Sequence, residues 1–150
     1  MNYVSLGNTG LKVSQVSFGG IPIQRADAAN TMAVVDALEA RGINFIDTAR
    51  GYTVSEEYLG AALEGRRDKF IIATKSMSRD AEGMTRDIGI SLSNLRTDYI
   101  DLYQIHNLPE KDFDKVFGPG GAYEALCDAK AAGKVRHIGA TAHNADVLRR

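Results

Sequence analysis

Four side chains capable of acid–base chemistry stand at or just beyond the ends of apolar segments. Asp47 closes I-N-F-I-D, and Tyr52 follows it by five residues. Lys75 closes K-F-I-I-A-T-K, and His106 closes Y-I-D-L-Y-Q-I-H. The carboxyl ends of parallel strands share one rim of an α/β fold, and ligands bind at that rim. We therefore expect these residues to meet at one site.

Together these side chains have the chemistry of a proton donor for a carbonyl compound. A buried lysine needs an anion, which Asp47 can supply. An ammonium beside a phenol favours the phenolate form, so Tyr52 becomes able to protonate a developing alkoxide near neutral pH. His106, as an N–H donor, can orient a carbonyl oxygen. None of these groups carries a hydride, so a redox reaction here requires a cofactor that does.

Each of these residues also has an ordinary structural explanation when it is taken alone. An aspartate after a strand often caps a turn or a helix, and a lysine at a strand end is often only solvated. A lone histidine is more often a satisfied core group, and a loop tyrosine is more often a packing residue. The functional interpretation depends on their convergence.

Repeated strand–helix units are expected to position these residues. A short hairpin is expected around the G-N-T-G turn at 7–10. Asn30 is the expected N-cap of the first helix, Gly42 its stop, and Asn144 the cap of the last helix. The expected strands are 16–20, 43–47, 69–75, 99–106 and 135–141, and the expected helices are 30–41, 55–63, 81–95, 121–132 and one that begins near 144.

Alternating strands and helices imply a parallel sheet, either doubly wound or closed into a (β/α)8 barrel. The phosphate-binding patterns G-x-G-x-x-G and G-x-x-x-x-G-K-S/T are absent, which favours the barrel. A complete barrel takes about 250 residues, and five strands cannot close one. We therefore expect 1–150 to be a single α/β domain, the N-terminal part of a TIM-type (β/α)8 barrel without strands 6–8.

An incomplete barrel of this kind leaves three alternatives open. The chain is part of a longer protein, it pairs with another chain, or it is a remnant. The first and last strands would be open edges, which invite self-association. Strand alternation also places Gln104 and Leu102 on the same face as His106, with Tyr103 and Ile105 facing the helices.

Composition argues against several classes of partner. The chain has 18 Lys+Arg against 19 Asp+Glu and no basic stripe with interleaved aromatic residues, so nucleic acid is not expected. No apolar run approaches the ~20 residues of a membrane helix, and the N-terminus lacks a secretory pattern. The single cysteine, Cys127, has no internal disulfide partner, which favours a cytoplasmic location. No metal site is predicted.

The motifs resemble those of the aldo-keto reductase family across essentially the whole chain. I-N-F-I-D-T-A-R-G-Y is similar to that family's strand-2 signature, with the D-T-A-x-x-Y spacing intact. T-V-S-E-E-Y-L-G-A-A-L, A-T-K-S and D-L-Y-Q-I-H resemble the family's helix-2, strand-3 and strand-4 motifs. L-G-N-T-G-L-K-V-S resembles the hairpin that plugs the floor of its barrel.

The resemblance implies reversible reduction of an aldehyde or ketone to an alcohol. It implies Tyr52 as the general acid and His106 as the residue that positions the carbonyl group. Lys75 and Asp47 would tune the tyrosine.

The resemblance also implies NADPH as the usual cofactor, with NADH as the second choice. The backbone near Gly20 and Ile21 would hold the nicotinamide, together with Asp47. Thr141 would supply a hydroxyl to the carboxamide, whereas Ala142 departs from the family's common Asn or Ser.

A second hypothesis is a non-catalytic half-barrel or accessory subunit that binds nucleotide or assembles with another chain. Some barrel relatives serve as accessory subunits of channels. The pairing of Tyr52 with Lys75 favours chemistry, because a binding protein would not need it. The sequence does not identify the natural carbonyl substrate.

Overall fold

The computed structural model describes residues 1–150 and begins with the predicted hairpin. Strand β1 (Tyr3–Ser5) pairs antiparallel with β2 (Lys12–Ser14). The turn between them contains Gly7 and Gly10, both with positive φ, a conformation that glycine adopts without steric cost. The predicted G-N-T-G turn is therefore confirmed.

Asn44 fastens this hairpin to the rest of the fold. Its side-chain oxygen accepts the backbone N–H of Ser14 at 2.7 Å, and its amide donates to the carbonyl of Lys12 at 3.0 Å. The Tyr3 hydroxyl donates to the carbonyl of Gly42 at 2.8 Å. Because Asn44 directly precedes a parallel strand, the hairpin lies at the amino end of that strand, opposite the rim of the candidate site.

The main sheet has five parallel strands, which are neighbours in chain order. Its edges are the first and last of these strands, so the sheet is not closed. All five lie within or one residue beyond the predicted segments. The strands are β3 (Phe18–Gly19), β4 (Phe45–Asp47), β5 (Ile71–Ser76), β6 (Ile100–Ile105) and β7 (Val135–Ala140).

Helices alternate with these strands, as predicted. Short 3₁₀ helices cover Ile21–Arg25, Arg67–Lys69 and Glu110–Asp112. No helix combines the length and apolar character that a membrane span requires. The α-helices are α1 (Ala28–Ala40), α2 (Ser55–Ala62), α3 (Ala81–Asn94), α4 (Phe113–Phe117), α5 (Ala122–Ala131) and α6 (Ala145–Arg149).

The predicted helix ends hold with one exception. Gly42, with φ of 69°, follows the end of α1, and the Asn144 side chain caps α6 by accepting the N–H of Asp146. The prediction of Asn30 as the N-cap of α1 was wrong. Asp27 caps this helix, and its carboxylate accepts the N–H of Asn30 at 2.7 Å. The earlier start adds helical residues and places a negative charge at the positive end of the helix dipole.

The core lies between the sheet and the helices. Ile46, Ile72 and Tyr103 belong to one buried cluster with helical side chains from α1 to α6. Full burial of such a side chain contributes roughly 1.5–3 kcal/mol. Leu102 and Gln104, on the other face of β6, are only half-buried, which confirms the predicted alternation.

Candidate active site

Parallel pairing brings three of the predicted residues to one end of the sheet. Asp47 is the last residue of β4, Lys75 lies one residue before the end of β5, and His106 follows β6 directly. Pairing continues beyond the strands, since His106 N–H donates to the Ser76 carbonyl at 2.8 Å. Their positions are therefore fixed by backbone hydrogen bonds.

Lys75 is a buried ammonium with two acceptors. Its side chain is 6% exposed, whereas that of Asp47 is 38% exposed. Lys75 Nζ donates to Asp47 Oδ2 at 2.5 Å and to the carbonyl of Thr48 at 2.8 Å. Gln104 donates to the other carboxylate oxygen of Asp47 at 3.4 Å. The carboxylate is thus oriented from two sides, and the ammonium is neutralised where water has little access.

Tyr52 reaches the same place from the turn between β4 and α2. Its N–H donates to the Ala49 carbonyl at 3.0 Å, and its own carbonyl accepts from Ser55 N–H at 2.8 Å. The ring centroid lies 5.0 Å from Lys75 Nζ. It lies 5.9 Å from the His106 ring, edge to face at 85°. The structure therefore brings the phenol, the ammonium and the imidazole together.

The surroundings of His106 disfavour the charged form of its imidazole. Burial lowers its pKa below the usual value, and the positive charge of Lys75 lowers it further. Asp47 acts in the opposite direction, and Arg79 and His143 add smaller lowering effects. Nδ1 of His106 is buried without a hydrogen-bond partner. A proton there would be an unpaired buried donor, which favours the neutral tautomer that carries its proton on Nε2.

A cavity of about 280 Å³ is bounded by these groups. Strand alternation predicted that Gln104 lies on the same face as His106. It did not predict the hydrogen bond from Gln104 to Asp47, because that bond depends on the register between strands. Asn107 lies in a loop, where no periodic signal exists to predict it. The cavity is lined by Asp47, Tyr52, Lys75, His106, Asn107, Thr141, Ala142 and His143.

Thr141, the predicted carboxamide contact, is one of these lining residues. Its Oγ1 accepts the N–H of Asn107 at 2.8 Å and donates to the Ile105 carbonyl at 3.5 Å. A hydroxyl has two acceptor lone pairs. One therefore remains for an amide donor, although the hydroxyl already holds a loop. Ala142 adds no polar side-chain group.

Gly20 and Ile21 do not line this cavity. Gly20 N–H donates to the Asp47 carbonyl at 2.7 Å, and its carbonyl accepts from Ser55 Oγ at 3.0 Å. A Cβ at Gly20 would lie 2.9 Å from that Oγ, so the absence of a side chain permits the close approach. Ile21 is 54% exposed. Gly20 thus packs against the end of β4, and the neighbouring Ile21 side chain faces solvent.

Comparison with known proteins gives the same family from sequence and from structure. The Aldo/keto reductase family model matches residues 14–150. L-galactose dehydrogenase of Arabidopsis thaliana is 37% identical, over 96% of this chain and 49% of that protein. Aldo-keto reductase YhdN of Bacillus subtilis is 33% identical, over 93% of this chain and 46% of that protein.

A solved structure gives the corresponding structural match. Aldo-keto reductase AKR11C1 of Bacillus halodurans, in its holo form, superposes with a TM-score of 0.88 at 30% identity. The match covers 99% of this chain and 53% of that chain. This chain spans about half the length of the curated relatives it matches. The expected TIM-type α/β fold class is confirmed, and the chain belongs to the aldo-keto reductase family.

Proposed function

We propose that this chain supplies the proton-donating part of an active site that reduces an aldehyde or ketone to an alcohol, reversibly and with NAD(P)H. One observation carries the proposal. Lys75 Nζ, held 2.5 Å from Asp47 Oδ2, lies 5.0 Å from the Tyr52 ring centroid. The His106 ring lies 5.9 Å from the same phenol. A tyrosine that served only for packing would need neither the ammonium of Lys75 nor the imidazole of His106 beside its ring.

The residues divide the work between orientation and proton transfer. The Nε2–H of neutral His106 donates a hydrogen bond to the carbonyl oxygen and so orients it. Tyr52 gives its hydroxyl proton to that oxygen as negative charge develops on it. The Lys75 ammonium stabilises the phenolate that remains. Asp47 keeps Lys75 in place and balances its charge. In the oxidative direction the phenolate takes the proton back.

The hydride of this reaction has to come from a reduced nicotinamide, because none of the four side chains can supply one. The residues at the cavity fit such a group in one respect. Thr141 Oγ1 keeps a free lone pair that can accept from a carboxamide N–H. Asp47 and the backbone around Gly20 and Ile21 are the further candidate contacts, although the Gly20 carbonyl already accepts from Ser55 Oγ and from Ile23 N–H.

The finer parts of the proposal rest on the family resemblance. NADPH is preferred over NADH, the substrate is a small carbonyl compound, and the reaction takes place in the cytoplasm. The single free cysteine, Cys127, supports a reducing compartment. Because the relatives are about twice as long, the activity of the whole protein belongs to this proposal as well.

Replacement of Tyr52 by Phe tests the proposal. NADPH oxidation is followed with a panel of aldehydes and ketones, and NADPH binding is followed by fluorescence. General acid catalysis contributes about 10²–10⁴-fold, so Tyr52→Phe should lower kcat by that factor. Nucleotide affinity should stay near that of the parent protein. Tyr58→Phe removes the same hydroxyl from α2, outside the cavity, and should leave both measurements unchanged.

Two results would defeat this assignment. If Tyr52→Phe had the same kcat as the parent protein, Tyr52 would not be the proton donor. Tight NADPH binding with no reduction of any carbonyl compound by the parent protein would favour the accessory-subunit hypothesis instead.

A further inference from the structure

Arg79, in the loop between β5 and α3, contacts the backbone that carries His106. Its Nη2 donates to the His106 carbonyl at 2.9 Å and to the Asn107 carbonyl at 2.9 Å. Its Nε donates to Asp112 Oδ2 at 3.2 Å. The arginine side chain is only 12% exposed, although its bond to the Asn107 carbonyl lies at the surface. The guanidinium therefore joins two loops at the rim of the candidate site.

The loop after β6 needs such a partner because its backbone is unusual. Asn107 has φ of 48°, the left-handed region that few non-glycine residues adopt. Its N–H donates to Thr141 Oγ1 at 2.8 Å, and Leu108 N–H donates to the Thr141 carbonyl at 2.7 Å. The carbonyls of His106 and Asn107 are held by Arg79 instead. The sharp turn is thus fixed from two directions.

We propose that Arg79 is a positioning residue for His106, fixing the backbone on which the imidazole faces the cavity. The planar guanidinium reaches Asp112 from Nε and the two carbonyls from Nη2, a fixed geometry that a lysine ammonium does not reproduce because all its donors are on one nitrogen. Nη1 of Arg79 is buried without a partner.

The charge of Arg79 acts on His106 as well. Burial and Lys75 have the larger effects in lowering the His106 pKa, and Arg79 adds to them. Loss of the guanidinium should therefore raise this pKa towards the ordinary value of a histidine. The titratable or charged groups that face the imidazole from neighbouring elements are Asp47, Tyr52, Lys75, Arg79 and His143. The effect of Arg79 on carbonyl reduction rests on the proposed function. Its effect on the loop backbone and on the His106 pKa can be measured without any turnover.

The test is NMR on this chain, which has only three histidines to assign. Histidine titrations give the His106 midpoint, and amide exchange is measured at Asn107 and Leu108. Arg79→Met removes both the positive charge and the hydrogen-bond donors of the guanidinium. Arg79→Lys keeps the charge but not the geometry of the donors. Arg86→Met is the matched control, because Arg86 is an exposed arginine on α3.

In Arg79→Met the His106 midpoint should move to higher pH, and exchange at both loop amides should rise about tenfold. Arg79→Lys should keep the low midpoint but show the faster exchange, and Arg86→Met should match the parent. If Arg79→Met does not fold, loop exchange in Arg79→Lys decides the matter. Parental exchange in the folded variants overturns the proposal. Exchange that rises equally in β5 and β6 also overturns it, because Arg79 would then serve only global stability. Neither outcome depends on whether Tyr52 donates a proton.

Discussion

The two partners of the Lys75–Asp47 pair differ in their access to water. Only 6% of the lysine side chain is exposed, against 38% of the aspartate side chain. Loss of the carboxylate would leave an ammonium that cannot hydrate, with the Thr48 carbonyl as its remaining acceptor. Loss of the ammonium would leave a carboxylate that water can reach. The cost of breaking this pair should therefore depend on which partner is removed.

We expect Asp47→Asn to lower the free energy of unfolding by about 1–3 kcal/mol, because the buried ammonium loses its counter-charge although an amide oxygen can still accept from it. Lys75→Met should lower it by less, although both variants should lose carbonyl reduction. Urea denaturation followed by circular dichroism measures the difference. The opposite order of stability would show that the carboxylate, not the ammonium, is the poorly solvated partner.

His106 should make stability depend on pH in the slightly acidic range. Its pKa is lowered in the folded state, chiefly by burial, so the unfolded chain binds a proton first as pH falls. The stabilisation is present above the unfolded pKa of about 6.5 and is lost as pH falls through the folded value. The free energy of unfolding should therefore decrease below about pH 6.5, and less so in His106→Asn. His137→Gln is the control, and an identical slope in His106→Asn would contradict the prediction.

The sequence located the central side chains of the site because strand ends are readable. An apolar run that stops at Asp47, Lys75 or His106 marks both a strand and the rim of a parallel sheet. The contacts of Arg79 were not predictable in this way. They depend on the left-handed conformation of Asn107. Asparagine tolerates this conformation better than most residues, but the local pattern N-L-P-E does not require it.

Among the helices, α2 and α3 meet at a point where only glycine fits. A Cβ on Gly60 would lie 2.0 Å from the Asn94 carbonyl oxygen and 2.8 Å from the Leu95 backbone. These atoms belong to the end of α3 and cannot rotate away as a side chain would.

Gly60→Ala should destabilise the protein by about 1–3 kcal/mol or more, because backbone atoms must shift to admit the methyl group. Gly89→Ala on the exposed side of α3 is the matched control, since a Cβ there meets nothing within 4 Å. It should stabilise the helix by up to about 1 kcal/mol. Thermal unfolding of both variants measures the contrast. Equal effects would mean that the helices can separate at little cost.

Helix prediction failed where the elements were short or had two candidate caps. α4 has five residues, F-D-K-V-F, too few to display a helical period, although Val116 is fully buried. At α1, D-A-A-N offers two capping residues, and Asp27 forms the cap. Longer elements were predicted to within a few residues, because alternation and apolar spacing persisted over their length.

Across the whole molecule, a cavity larger than the one at Tyr52 lies away from the chemistry. It measures about 640 Å³ and is lined by segments that precede β5 and β6, among them Arg67 and Tyr99. Arg67 is paired with the buried Asp101 at 2.8 Å. The amino-terminal face of such folds contributes stability, whereas ligands bind at the carboxyl ends. The smaller cavity at Tyr52 is therefore the functional candidate.

The strand order predicts how this chain behaves at high concentration. β7 has a partner only on the β6 side, and of its six residues only Val135 is buried. Open edges pair with other chains, so we expect self-association through β7. Sedimentation velocity between about 1 and about 100 μM should show a rising sedimentation coefficient. Amide exchange in β7 should slow over the same range, whereas β5, already paired on both sides, should not change. A monomer at every concentration with constant β7 exchange would mean that the edge is protected by its own side chains, and that an unpaired strand in this fold does not by itself drive assembly.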